Sequence, residues 1–295
     1  MQGEDDFERF NSLGLLSGNR RVDEEVENNL VATLVNLGRA TNDVGTMLNA
    51  AKSIAHMTEV LHCNPQVAST QTMEFMMTML KDTKNVRNHR EGCRYFANLS
   101  YYKQYINSLI DMKITAYMLG TIEQDNQNAS NDEDAIKYSV IALANLSSHP
   151  NFMTETQKAA KGDITQLSRV DRGKIKPLIH ILDSAQQSNI NIIQSACISL
   201  CNMATKTSLH QHFVEEPELS TLKNCFQSCI GHKNKPGYTN LLRFMIKLVC
   251  NLTKNPSIVP CLSKRGFLDV LIDLLQEEKE REIFGNLVTA IAYMS

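Results

Sequence analysis

No stretch of about 18 uncharged apolar residues occurs in this 295-residue chain, so no segment is expected to span a bilayer. Charge of one sign is lacking too. Thirty basic against 32 acidic residues leave a net charge of −2, too little to mark a general nucleic-acid or membrane-surface binder. The opening residues MQGEDDFERF are acidic and contain no apolar run, which excludes a signal or transit peptide from this start, and Gln2 in place of Gly excludes N-myristoylation. There is no Gly-rich phosphate loop, no Gly-x-Ser-x-Gly elbow and no His-Glu-x-x-His pair, so no enzymatic activity and no cofactor are expected. The carboxylates of Asp5-Asp6, Asp23–Glu25 and Asp132–Asp134 read as solvated loops. No Asn-Gly turn separates two alternating runs, so strands are not expected either.

Eight cysteines are present, but none are spaced Cys-x-x-Cys. Most lie inside apolar helical patterns, and with no secretory signal they read as reduced thiols of a cytoplasmic or nuclear protein. Cys225, Cys229 and His232 have the spacing of part of a metal site, and Cys197 and Cys201 share a helix face. Zinc needs about four convergent ligands, so core packing is the expected role and no metal is assigned. His210 and His212 fall at a helix start and read as a solvated turn. Of the four Asn-x-Ser/Thr matches (Asn98, Asn128, Asn145 and Asn251), none is expected to be glycosylated without secretion.

What the chain does contain is helical periodicity. Residues 1–25 read as an acidic, loose leader, with at most a short turn over Phe7–Leu16. From Glu25 to Gly38 apolar residues recur at helical spacing, as they do over Gly45–Leu61 and Thr72–Leu80. Further helices are expected over Asn85–Ser100, Tyr101–Leu109, Met112–Ile122, Ala135–Ser147, Asp171–Ala185, Asn189–Ala204, Pro217–Ile230, Thr239–Thr253, Pro256–Leu262, Gly266–Gln276 and Glu280–Ser295. Between them, Glu123–Asp134 reads as an acidic loop and Ser148–Lys174 as an irregular stretch.

The helical pattern repeats. Leu143-Ala144-Asn145-Leu146-Ser147 returns as Phe96-Ala97-Asn98-Leu99-Ser100, Leu200-Cys201-Asn202-Met203-Ala204 and Val249-Cys250-Asn251-Leu252-Thr253. Weaker copies place His56 and Tyr293 at the Asn position. Successive steps are 42, 47, 57, 49 and 42 residues. A period of about 40–47 residues, lengthened by polar insertions, is the mark of an array of two or three helices per unit.

These motifs resemble those of the armadillo repeat family. Arg265-Gly266-Phe267-Leu268-Asp269-Val270-Leu271 resembles the Gly-led opening of that family's second helix, and Ile175–Leu182 is a weaker likeness. The quoted Asn runs resemble the end of its third helix. The resemblance covers roughly residues 26–295 and implies an all-α fold, an armadillo-type right-handed α-α superhelix of about six repeats. It names no subfamily. Importin-α-like receptors place a Trp four residues before the Asn; this chain has no Trp, so their two-site capture of Lys-rich signals is not implied.

In the family the third helices line a concave surface, and their Asn amides clamp the backbone of an extended peptide. The resemblance therefore implies partner-binding roles for Asn98, Asn145, Asn202 and Asn251. The alternative for the same residues is that each Asn caps or cross-links neighbouring helices. Four residues before the motif position stand Lys52, Arg94, Ile141, Ile198 and Lys247; eight before stand Arg90, Lys137, Gln194 and Arg243. Six of these nine are basic and none is acidic, although the chain is slightly negative. With the helices stacked, Lys52, Arg90, Arg94, Lys137, Arg243 and Lys247 form a positive stripe that favours a partly acidic extended segment of a partner protein. The alternatives are a solvated cationic face, a structural subunit of a large cytoskeletal or ciliary assembly, and a regulator of small GTPases. The last helix carries Ile283, Phe284, Leu287, Val288, Ile291 and Met294 with no polar helix behind it, so it is expected to be covered by another subunit or by further repeats.

Overall fold

Apolar spacing becomes helix throughout. The computed structural model describes residues 20–60, 65–127, 132–152, 164–183, 189–277 and 280–295, and no strand occurs among the described residues. Two packing units divide the chain after Tyr95.

The first unit contains α1 (Arg20–Ala40), α2 (Val44–Val60), α3 (Thr70–Lys81) and the start of α4 (Val86–Ser100). Asp43 opens α2 by accepting from the Thr46 backbone N–H and hydroxyl, both at 2.6 Å. These bonds, the hydroxyl's first, hold the Asp43 carboxyl below its ordinary range. Ser69 caps α3 in the same way, accepting from the Thr72 N–H. Helix α1 packs on α2 and α3 around Val31, Val35, Ala51, Ile54, Phe75 and Met76, all buried. Two glycines set how closely the helices approach. A Cβ on Gly38 would lie 2.4 Å from Cζ of Phe75, and one on Gly92 would lie 2.5 Å from the backbone N of Leu80. The Tyr95 hydroxyl, fully buried, donates to the Val67 carbonyl at 2.6 Å.

The second unit repeats a short-long-long order: α5 (Ile106–Asp111), α6 (Ile114–Gln127) and α7 (Glu133–Ser147); then α8 (Ile164–Asp183) and α9 (Ile190–Met203); then α10 (His210–Phe213), α11 (Glu218–Gly231) and α12 (Tyr238–Thr253); then α13 (Val259–Lys264), α14 (Phe267–Glu277) and α15 (Arg281–Met294). The third helices form one row, α7 on α9 on α12 on α15. The second helices α6, α8 and α11 form another row, and α6, α8, α11 and α14 each pack on the third helix that follows them. A helix flanked on both sides and behind must be apolar over most of its circumference. Leu143, Leu146, Leu200, Met203, Leu248 and Leu252 accordingly lie in the core. Each such side chain contributes about 1.5–3 kcal/mol by burial. The turn into α14 uses Gly266 at φ 76°, and the equivalent turn into α6 uses Lys113 at φ 61°.

Four boundaries differ from the sequence expectation. Residues Arg20–Glu25, read as part of the leader, belong to α1, and residues 1–19 with the Phe7–Leu16 turn lie outside the described residues. Helix α6 runs on to Gln127, through the first five residues of the expected acidic loop. Glu133 and Asp134, read as the end of that loop, open α7, where acidic side chains face unpaired N–H groups and the macrodipole, and Asp132 caps the helix by accepting from the Ala135 N–H. Helix α8 starts at Ile164, inside the stretch read as irregular. Polar composition hid the added turns of α1, α6 and α7, where apolar residues are too sparse to mark a helical period.

Candidate functional site

The motif Leu-Ala-Asn-Leu-Ser is explained by what each position touches. Its two large apolar residues enter the core, and the small residue before the Asn (Ala144, Cys201 or Cys250) is buried where third helices pass close to one another. The Asn then faces its neighbour. Asn145 Nδ2 on α7 donates to Oγ of Ser100 at 3.0 Å. Asn202 Nδ2 on α9 donates to Oγ of Ser147 at 3.1 Å and reaches the Ala144 carbonyl at 3.4 Å. Asn251 Nδ2 on α12 donates to the Cys201 carbonyl at 3.2 Å, while its Oδ1 accepts from Lys254 Nζ at 2.8 Å.

The Ser that closes the motif completes the relay. Ser100 donates to the Ala97 carbonyl at 2.6 Å and Ser147 to the Ala144 carbonyl at 3.0 Å, so each hydroxyl gives its proton to its own helix and its lone pairs to the next unit's Asn. Thr253 Oγ1 makes the same backward bond to Cys250. The cross-linking geometry is therefore present at Asn145, Asn202 and Asn251. Ser100 and Ser147 are partners that reading the Asn alone misses, although their recurrence two residues after it is visible in the sequence.

The amides differ in what they leave exposed. Asn145 and Asn202 are half-buried, as is Asn98 on α4, and an Asn side chain offers two N–H donors and two acceptor lone pairs. Asn251 is buried, with both ends of its amide engaged within the fold. Ile141 and Ile198, one turn before Asn145 and Asn202, are half-buried apolar neighbours.

The expected cations divide between the units: Lys52, Arg90 and Arg94 in the first, Lys137, Arg243 and Lys247 in the second. Arg94 grips Glu59 with Nε at 2.9 Å and Nη2 at 2.6 Å, and its Nη1 lies 3.6 Å from Glu91. Arg243 donates from Nη2 to Glu280 at 2.6 Å and from Nη1 to Asn240 Oδ1 at 2.9 Å. Arg94 and Arg243 are thus neutralised by carboxylates 35 and 37 residues away in the chain. Lys137 Nζ sits 5.5 Å from the Tyr138 ring centroid, Arg90 is half-buried, and Lys52 and Lys247 are exposed. Gln194 Nε2, at the equivalent position of α9, donates to the Gly237 carbonyl at 2.7 Å.

The histidines and cysteines are packing groups. Cys197, Cys201, Cys225 and Cys229 are buried, and burial, followed by contact with Cys201, pushes the Cys197 thiol well above its ordinary value. His232 Nδ1 lies 2.9 Å from the Ser228 carbonyl. Among the described residues no three His, Cys, Asp or Glu side chains converge as metal ligands. His210 and His212 correct the expectation of a solvated turn, because both are buried. His210 Nε2 donates to the Ala204 carbonyl at 2.7 Å, which leaves Nδ1 buried as an acceptor with no partner. Burial is the main cause that lowers its pKa, with the Lys254 charge adding to it and the Ala204 bond opposing it. Among the described residues no helix is long and apolar enough to cross a membrane.

No protein-family model and no curated protein matches the chain. Solved structures do. A designed armadillo repeat protein superposes with a TM-score of 0.66 at 17% identity, over 91% of this chain and 99% of its own. A designed armadillo repeat protein in complex with the peptide (KR)4 gives a TM-score of 0.63 at 18% identity, over 91% of this chain and 99% of its own. A structure from work on a phosphorylation switch between cadherin and beta-catenin gives 0.70 at 16% identity, over 90% of this chain and 45% of its own. The chain has an armadillo-type repeat fold.

Proposed function

We propose that the protein is a non-enzymatic interaction scaffold that binds an extended, partly acidic segment of a partner protein along its row of third helices. The observation that carries this reading is the spacing of Asn98, Asn145 and Asn202, half-buried amides repeated once per unit, with Ile141 and Ile198 one turn earlier. An extended peptide has backbone N–H and C=O groups without internal partners, and a periodic set of amides answers them at intervals. The solved neighbours support the reading: one designed armadillo protein is in complex with a peptide, and another neighbour comes from work on the interaction between cadherin and beta-catenin. The Lys-Arg peptide of the former has the wrong sign here, because the flanking positions are basic.

The ion pairs refine the roles. Lys247 and Lys137 are the cations for acidic side chains of the ligand; Arg243 joins only if the ligand displaces Glu280. Asn251 holds the scaffold in register and does not contact the peptide. The test is fluorescence anisotropy of an acidic extended peptide with a hydrophobic centre. Lys247→Glu and Lys137→Glu are expected to weaken binding about tenfold each, equivalent to about 1.4 kcal/mol. Glu280→Gln is expected to tighten it by removing the carboxylate that neutralises Arg243. Affinity unchanged by all three substitutions removes the groove reading.

A further inference from the structure

The linked amides of the motif all face their neighbours by the same end. Ser100 and Ser147 each give their hydroxyl proton to a carbonyl of their own helix, Ala97 at 2.6 Å and Ala144 at 3.0 Å. What such an oxygen turns toward the next unit is a lone pair, and a backbone carbonyl can only accept. Asn145 meets Ser100 Oγ, Asn202 meets Ser147 Oγ and the Ala144 carbonyl, and Asn251 meets the Cys201 carbonyl. An acceptor on the facing helix selects the NH2 end of the amide. In all three, therefore, Nδ2 makes the link and Oδ1 is left over from it.

What answers that oxygen separates the three. On α12 the chain answers it itself, because Lys254, three residues on, donates from Nζ to Asn251 Oδ1 at 2.8 Å. The residues three on from Asn145 and Asn202 are Ser148 and Thr205. Both spend their hydroxyls on the main chain instead, donating to the Asn145 and Asn202 carbonyls at 2.6 and 2.7 Å. Among the described residues nothing donates to Oδ1 of Asn145 or Asn202, and neither oxygen is buried. The adjacent helices α7 and α9 thus each present an unanswered acceptor at the same motif position, one turn after Ile141 and Ile198. Asn202 has no N–H to spare, since its Nδ2 already serves two acceptors.

Resting on the groove reading above, we propose that the amide ladder reads donors. Backbone N–H groups of the ligand bond Oδ1 of Asn145 and Asn202, as Lys254 does for Asn251, and no ligand carbonyl is held at Asn202. The segment it takes has a free N–H at two register positions, which excludes proline from both. A lysine of the ligand would supply the same kind of donor, but Lys137 and Lys247 on the same row of helices oppose its charge.

The experiment is an amide-to-ester scan, in which each ester removes one N–H and keeps the carbonyl in place. The probe is fluorescein-labelled Glu-Asp-Glu-Leu-Val-Leu-Asp-Glu, followed by anisotropy. Esters at two positions are expected to weaken binding about tenfold, and esters elsewhere by less than about twofold. Asn145→Ala should abolish one of the two penalties and Asn202→Ala the other. If the all-amide probe binds but no ester costs more than about twofold, the donor inference is overturned and the groove reading stands. Penalties that persist undiminished in both Asn variants have the same meaning. An all-amide probe that does not bind overturns the groove reading and this inference with it. If far-UV circular dichroism shows that an Ala variant has lost helicity, the ester scan on wild type decides alone.

Discussion

At the scale of single residues, the motif Asn is a structural link before it is anything else, and the three described links differ in cost. Asn251 is buried and its amide bonds both the Cys201 carbonyl and Lys254, so Asn251→Ala is expected to lower stability by about 1–3 kcal/mol. Asn145→Ala removes one half-buried bond to Ser100 and should cost about 1 kcal/mol. Urea denaturation of both variants checks the order; equal losses would mean that burial of the amide does not decide its worth. His210 gives a pH dependence. Its folded pKa lies below its ordinary value near 6.5, so in that window the unfolded chain binds more protons and stability falls as pH drops below about 6.5. The urea midpoint should therefore be lower at about pH 5.5 than at about pH 7.5, and the drop should shrink in His210→Gln. An identical drop in wild type and variant would place the titration elsewhere. The burial of His210 was not legible in the sequence, since a His-x-His pair at a short helix looks solvated until α10 is seated in the second unit.

Among elements, the turn between a unit's first and second helices shows how the repeat tolerates strain. Gly266 enters α14 with a left-handed backbone that glycine adopts without penalty, but Lys113 holds nearly the same conformation before α6. A side chain there costs about 1–2 kcal/mol, so Lys113→Gly is expected to raise stability by about 1 kcal/mol once the added freedom of the unfolded chain is subtracted. Thermal melting of Lys113→Gly and of Gly266→Ala checks both directions: the first midpoint should rise and the second should fall. The resemblance to a Gly-led second helix placed a glycine at this turn, at Gly266, without stating its backbone conformation. At Lys113 there was no such sign, because a lysine does not announce a positive φ. Helix existence, by contrast, was legible almost everywhere, since apolar spacing near 3.6 residues survives in a single segment. The start of α1 was not, because Arg20–Glu25 holds a single apolar residue, Val22.

For the whole molecule, a net charge of −2 means that the attraction for an acidic segment that the proposed function requires is local and does not come from the overall field. In the proposed scaffold the substitutions that matter for binding are therefore those at Lys247 and Lys137. The amino-acid order alone determined that the chain is helical, that it repeats at steps near 42–57 residues, and that a column of Asn runs through the units, because these are properties of spacing within a helix. Only the tertiary structure decided where the amides and cations are spent. The Asn145–Ser100, Arg94–Glu59 and Arg243–Glu280 pairs join residues 45, 35 and 37 positions apart, and such partners are chosen by which helix faces come together, a matter that no local pattern encodes.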